Sequence, residues 1–186
     1  MSARPATPAS ALLEAHEKLE AAFALHQEAL LLADLDSARE MFRLYRSLLS
    51  LHMRHEEEVV LVLFRRAGVI KKWPEVLYTG QHTKMNEFLE RIEAALAALH
   101  PDTGRELRRG LIAVFDMEAT YKHLVEHHDG AEREGLFPTV DSLQTAEDEP
   151  LILQLLNQWR AAVAAARPGY TQIAAALDQR ASLLRE

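Results

Sequence analysis

An all-α fold, with four long helices running up-down-up-down and two further helices at the C-terminus, follows from three features of this 186-residue chain. Ala, Leu, Glu and Arg dominate, and all four are good helix formers. Apolar residues recur in steps of three and four over long stretches, which lines them along one helical face. Gly and Pro number seven each, too few for the many tight turns of an all-β protein.

The elements follow in order. Residues 1–9 read as a loose tail. From about Ser10 to Leu32 the inward positions are Leu12, His16, Leu19, Phe23, His26 and Leu30, one face of a first helix. The segment Ala33–Asp36 turns the chain. Ser37 and Glu40 form a capping box for a second helix, predicted over about Ala38 to Arg66. Its inner face is Met41, Tyr45, Leu48, His52, Glu56, Val59 and Leu63, and Gly68 ends it. Residues Val69 to Trp73 form a link, and Pro74 suits the first position of a third helix. That helix shows the cleanest spacing: Tyr78, His82, Met85, Leu89, Ile92, Leu96 and Leu99. His100–Pro101–Asp102 stops it, and Thr103 with Glu106 forms a second capping box.

The fourth helix carries Leu107, Leu111, Val114, Met117, Tyr121, Leu124 and His128, and Pro138 is expected to close it. Residues 10–140 therefore read as a four-helix bundle. The polar stretch Asp141 to Glu149 reads as a linker. Two amphipathic segments follow, Pro150 to Ala166 and Tyr170 to Leu184, separated by Arg167–Pro168–Gly169. Residues 141–186 are thus a helical extension that either covers one side of the bundle or forms a homodimer contact.

Composition excludes several functions. The net charge of −7 argues against a nucleic-acid or anionic-membrane binder, both of which need a basic face. Cysteine is absent, so no disulfide, thiolate metal site or cysteine nucleophile exists. The longest unbroken aliphatic or aromatic run, Val59 to Phe64, is far too short to span a bilayer. The first nine residues lack the apolar stretch of a signal peptide, so a cytoplasmic location is the default expectation. No Gly-rich phosphate loop, G-x-S-x-G elbow or H-E-x-x-H motif is present.

The informative residues are histidines, nine in all. Each main helix puts one on its apolar face: His16, His52, His82 and His128. A single inward histidine is usually a core residue with satisfied hydrogen bonds, and His26 is read that way. Four of them, one per helix, are different, because a bundle brings facing positions together. Counted from the turn near residue 35, His16 and His52 lie at depths within about 3 Å of each other. His82 and His128 match less well about residue 102, with an offset of about 9 Å. His123 would match His82 in depth but lies on the polar face with Asp116, Thr120 and His127. His55, His100, His123 and His127 read as residues of the surface or of the surroundings of the site. Glu56 stands four residues after His52, and Glu132 four after His128, a spacing that sets both side chains over one metal-sized gap. Imidazole with carboxylate and no thiolate suits iron, manganese or zinc.

The segments His52–Met53–Arg54–His55–Glu56–Glu57 and His128–Asp129–Gly130–Ala131–Glu132–Arg133, the latter continuing to Leu136–Phe137–Pro138, resemble the two histidine-carboxylate signatures of hemerythrin-like (HHE cation-binding) domains. His16 and His82 resemble the lone histidines of that family's first and third helices, and Gly80–Met85 is similar to its third-helix pattern. The resemblance covers roughly residues 10–140. It implies a non-haem di-iron centre, two irons per chain, with His16, His52, Glu56, His82, His128 and Glu132 as metal ligands and an open position for a small ligand such as dioxygen, nitric oxide or peroxide. Oxygen-carrying members have a histidine one turn before the equivalent of His82, where this chain has Tyr78, a further candidate ligand through its phenolate. Arg133 stands where many relatives show a second acidic residue. Both departures point away from reversible oxygen carriage and toward relatives that sense or handle iron, oxygen, nitric oxide or peroxide. An enzyme acting on peroxide or ferrous iron would use the same ligands, and a metal-free helical interaction protein is the remaining reading. Ferritin-like di-iron bundles are excluded, because they use Glu-x-x-His and no histidine here has a glutamate three residues before it.

Overall fold

The computed structural model describes residues 6–68, 72–101 and 104–183, and among them there is helix and turn but no strand. Thr103 of the second expected capping box lies outside the described residues, as do residues 69–71 of the expected link. No helix among the described residues is long and apolar enough to cross a membrane.

The chain enters through a 3-10 turn, Ala9–Leu13, and continues as α1, Glu14–Leu31. The end of the expected loose tail is tied down. Ala9 is fully buried and its amide donates to Gln144 Oε1 at 2.9 Å, while Gln144 Nε2 donates to the Thr7 carbonyl at 2.9 Å. Ala33 turns the chain with φ of 52°. The cap of α2, Leu35–His55, is Asp34 rather than Ser37: the Asp34 carboxylate accepts from the Ser37 amide at 3.2 Å. Asp34 reaches the free amides first, so the helix starts three residues earlier than the capping box suggests.

Two π-helical turns interrupt the regular winding, Glu56–Val60 after α2 and Glu132–Leu136 after α5, and each begins at one of the predicted glutamate ligands. Single π turns of this kind sit preferentially at functional sites. The first leads into α3, Leu61–Phe64, and a final 3-10 turn closed by Gly68 at φ of 61°. Gly68 ends the segment as the sequence predicts, because that conformation carries no Cβ penalty only for glycine. Next come α4, Glu75–Ala98, preceded by Pro74, and α5, Gly104–Ala131. Pro138 does not close the helix. It stands in the first turn of α6, Phe137–Leu143, where a missing amide is tolerated, and both it and Glu134 one turn back are exposed. The linker shrinks to the few residues between α6 and α7.

The two expected C-terminal helices are one. Helix α7 runs from Glu149 to Leu183 with Pro168 inside it. An interior proline costs about 3 kcal/mol in a free helix. Here Pro168 and Ala164, whose carbonyl it leaves unbonded, are both exposed residues. Buried side chains on either side, Trp159 before it and Ile173 and Leu177 after it, hold the two halves in line. The helix covers α1 and α2. Arg160 makes a paired contact with Glu14, Arg180 meets Asp34, and Gln158 meets His55. His55, expected at the surface or in the surroundings of the site, is buried there.

Four neighbouring pairs run antiparallel. His16 faces His52 and His26 faces Ala38 between α1 and α2. Arg39 faces Leu96 and Glu57 faces His82 between α2 and α4. Leu99 packs against Gly110 and His82 meets His128 between α4 and α5. His26 meets Glu118 and His16 meets Glu132 between α1 and α5. Arg39 also closes the end of α4, donating to the Leu96 carbonyl at 2.9 Å and the Leu99 carbonyl at 2.7 Å. Apolar residues gather in two clusters. One contains Phe23, Phe42, Leu89 and Ile92, the other Phe64, Leu136, Phe137 and Ile152. The histidine and glutamate side chains lie between them as a polar layer.

Candidate metal centre

The polar layer is built from both ends of the sequence. His16 comes from α1, His52 from the last turn of α2, His82 from α4 and His128 from the last turn of α5. Glu56 and Glu132 open the two π turns one helical turn beyond His52 and His128. All six side chains are at most 5% exposed. They form two groups, His16–His52–Glu56–Glu132 and Glu56–His82–His128–Glu132, and the ligand atoms of each group lie within 4.8 Å of one another. Both carboxylates belong to both groups.

The atoms explain how. Glu56 turns Oε1 to His52 Nε2 at 2.7 Å and Oε2 to His82 Nε2 at 3.0 Å. Glu132 turns Oε2 to His16 Nε2 at 3.0 Å and Oε1 to His128 Nε2 at 3.2 Å. The paired imidazoles approach each other through Nε2, at 3.0 Å for His16 and His52 and 3.2 Å for His82 and His128. Donor atoms bound at ~2.0–2.2 Å to one first-row metal lie about 3 Å apart, and the spacings within each group are of that size. All four carboxylate oxygens lack a well-aligned hydrogen bond despite their burial. Their close contacts are to imidazole nitrogens instead. Buried carboxylates without hydrogen bonds are costly, and cations would compensate them.

Two of the outer ring nitrogens are held too, and that of His16 has a carboxylate nearby without a hydrogen bond. His82 Nδ1 lies 2.7 Å from Glu57, His128 Nδ1 3.1 Å from Gln81 Oε1, and His16 Nδ1 3.4 Å from Asp129. The Glu57 and Gln81 contacts fix the imidazole orientation that turns Nε2 of His82 and His128 toward the layer. Glu57, Gln81 and Asp129 did not stand out in the sequence, although Glu57 and Asp129 adjoin Glu56 and His128 in the chain. The carboxylates also set protonation. Burial opposes a charged His52, but the Glu56 and Glu132 carboxylates outweigh it and hold its pKa above the usual histidine value. His128 is likewise buried, and Glu132 and Glu56 hold it well above that value. Glu56 is buried, but His52, His128 and His82 hold it well below the usual carboxylate range.

Tyr78 stands beside this layer. Its ring meets His128 edge-on, and its hydroxyl donates to the Ala131 carbonyl at 3.3 Å. Burial first, and then the Glu132 charge, push its pKa up to about 12. The hydroxyl thus acts as a donor in the core. Gly135 lets this packing close: a Cβ there would fall 2.7 Å from the Trp73 ring and 3.1 Å from the Tyr78 hydroxyl.

His128, not His123, meets His82. Leu99 against Gly110 centres the α4–α5 pair near residue 104 rather than 102, which reflects His82 to about residue 127 and removes the apparent offset. His123 and His127 are exposed and pair with each other on the outer face. His26 is a core histidine with both nitrogens engaged, Nδ1 at 2.7 Å from the Ala38 carbonyl and Nε2 at 2.7 Å from Glu118. Glu118 is fully buried, a residue whose role the sequence did not reveal. Taken together, the buried histidine and glutamate groups could hold metal ions. No protein-family model, curated protein or solved structure matches the chain.

Proposed function

We propose that this protein is a hemerythrin-like four-helix bundle whose dinuclear metal centre binds a small ligand such as dioxygen, nitric oxide or peroxide. The observation that carries the reading is the pair of four-ligand groups sharing both Glu56 and Glu132. Packing does not account for two glutamates that each divide their oxygens between two histidine pairs. His16 and His52 would hold one metal, His82 and His128 the other, with the glutamates across both. Imidazole and carboxylate donors suit iron, with manganese or zinc also compatible. A bound metal would supply Lewis acidity and, for iron, a redox couple. The protein orients His82 and His128 through Glu57 and Gln81 and encloses the donors between two apolar clusters.

Metal content per chain tests the proposal. Protein from iron-supplemented cells is expected to hold about two metals per chain by elemental analysis, and the His52→Ala, His128→Ala double variant close to none. Little metal in the parent protein would overturn it. A second expectation follows from protonation. Metal binds neutral imidazole, and both His52 and His128 have raised pKa values in the metal-free chain, so loading expels protons. Affinity should rise as pH increases through that raised range. Calorimetric titrations at pH 7 in two buffers of different ionisation enthalpy should show net proton release, and equal heats in the two buffers would refute it.

A further inference from the structure

A cavity of about 350 Å³ adjoins the polar layer between α1 and α5. Three of the candidate ligands, His16, His52 and His128, form one end of it. Glu56, Glu132 and His82 do not line it, so it is not the gap in which metals would sit but a chamber beside that gap. Its walls are mainly apolar, with Leu19, Phe23, Leu49, Met85 and Val125. Its size matters for what enters. A diatomic ligand needs about the room of one water, ~30 Å³. Seats for small organic ligands run from ~300 to ~1,000 Å³.

Besides the histidines, Gln27 and Asp129, a pair of tyrosines faces this largely apolar chamber. Tyr45 and Tyr121 line it, and their hydroxyls hydrogen-bond to each other. Two hydroxyls carry two hydrogens, and the pair uses one. No other partner of either hydroxyl occurs among the described residues. One buried O–H is therefore left to donate, and burial pushes both phenols well up, so they stay protonated donors. Its charged lining residues are of both signs, Glu20, Glu126 and Asp129 against Lys122 and Arg133, so neither sign of ligand charge is strongly favoured.

We propose that this chamber seats a compact, neutral, largely apolar organic molecule with one acceptor oxygen, held by the tyrosine pair and lying against His16, His52 and His128. The seat is made by protein alone, and the proposal rests on the metal-centre reading only for what the bound molecule faces. Placing a carbonyl or ether oxygen on the tyrosine pair would set the rest of the molecule toward the histidine end.

Acetophenone and ethylbenzene, similar in shape and differing in the acceptor oxygen, make a suitable probe pair. Calorimetric titration would use the full chain, both metal-free and loaded with redox-silent zinc. Saturable binding of acetophenone, one per chain and at least tenfold tighter than ethylbenzene, is expected in both states. The Tyr45→Phe, Tyr121→Phe double variant should lose that preference while still binding both probes. Val125→Trp, which fills the chamber from α5, should weaken both at least tenfold while keeping the parent's zinc stoichiometry, the sign that it still folds. No saturable binding to the zinc-loaded chain, or unchanged binding by Val125→Trp with parental zinc content, would overturn the proposal. Binding that persists in a chain unable to take up metal would support the chamber and sink only the metal-centre reading.

Discussion

Replacing either Glu56 or Glu132 by alanine is expected to empty both metal positions, whereas replacing one histidine should empty mainly its own. Each glutamate points one oxygen at each histidine pair, so either substitution removes a donor from both groups at once. It also removes the negative charge that offsets two cations in a buried layer. Each histidine belongs to one group only. Elemental analysis of the purified variants should fall from about two metals per chain to near zero for Glu56→Ala and Glu132→Ala, and to about one for His16→Ala or His82→Ala. Full metal retention in Glu132→Ala would mean that the carboxylates do not span two metals. Loss of both metals in every histidine variant would mean that the two positions fill only together.

The largest effect on folding away from the metal layer should come from Glu118. Its carboxylate is fully buried and lies 2.7 Å from His26 Nε2 and 2.9 Å from Gln27 Nε2. His26 is buried as well, and its other nitrogen is bonded to the Ala38 carbonyl where α2 begins. Removing one member of a buried ionisable pair strands the other, at a cost of about 3–5 kcal/mol. Glu118→Ala should therefore lower stability by about that amount in urea unfolding followed by circular dichroism. Glu118→Leu combined with His26→Phe should recover most of the loss, since well-packed apolar replacements of a buried pair are often neutral. A loss below about 1 kcal/mol for Glu118→Ala would show that the site relaxes to admit water.

Much of the candidate site was legible in the sequence because each helix repeats its apolar face every three to four residues. His16, His52, His82 and His128 fall on those faces, so their inward direction follows from local spacing alone. The i, i+4 relation of each glutamate to a histidine is equally local. Glu118 was not legible, because it lies on a largely polar stretch of α5 and its partner is 92 residues away. Glu57 and Gln81 were missed for the same reason: a residue that steadies an imidazole across an interface carries no signal of its own in the chain. The break expected at Pro168 failed differently. A proline states its local cost, but whether the helix stops depends on where the freed carbonyl points and how firmly both flanks are packed.

The sequence by itself determined the helical class, the inward histidines and the donor chemistry, since these rest on propensity, periodicity and residue type. Only the tertiary structure decided that the two glutamates are shared, that His128 rather than His123 meets His82, and that a chamber adjoins the histidines. Those depend on helix register and on two π turns, which are set by side-chain packing between segments far apart in the chain.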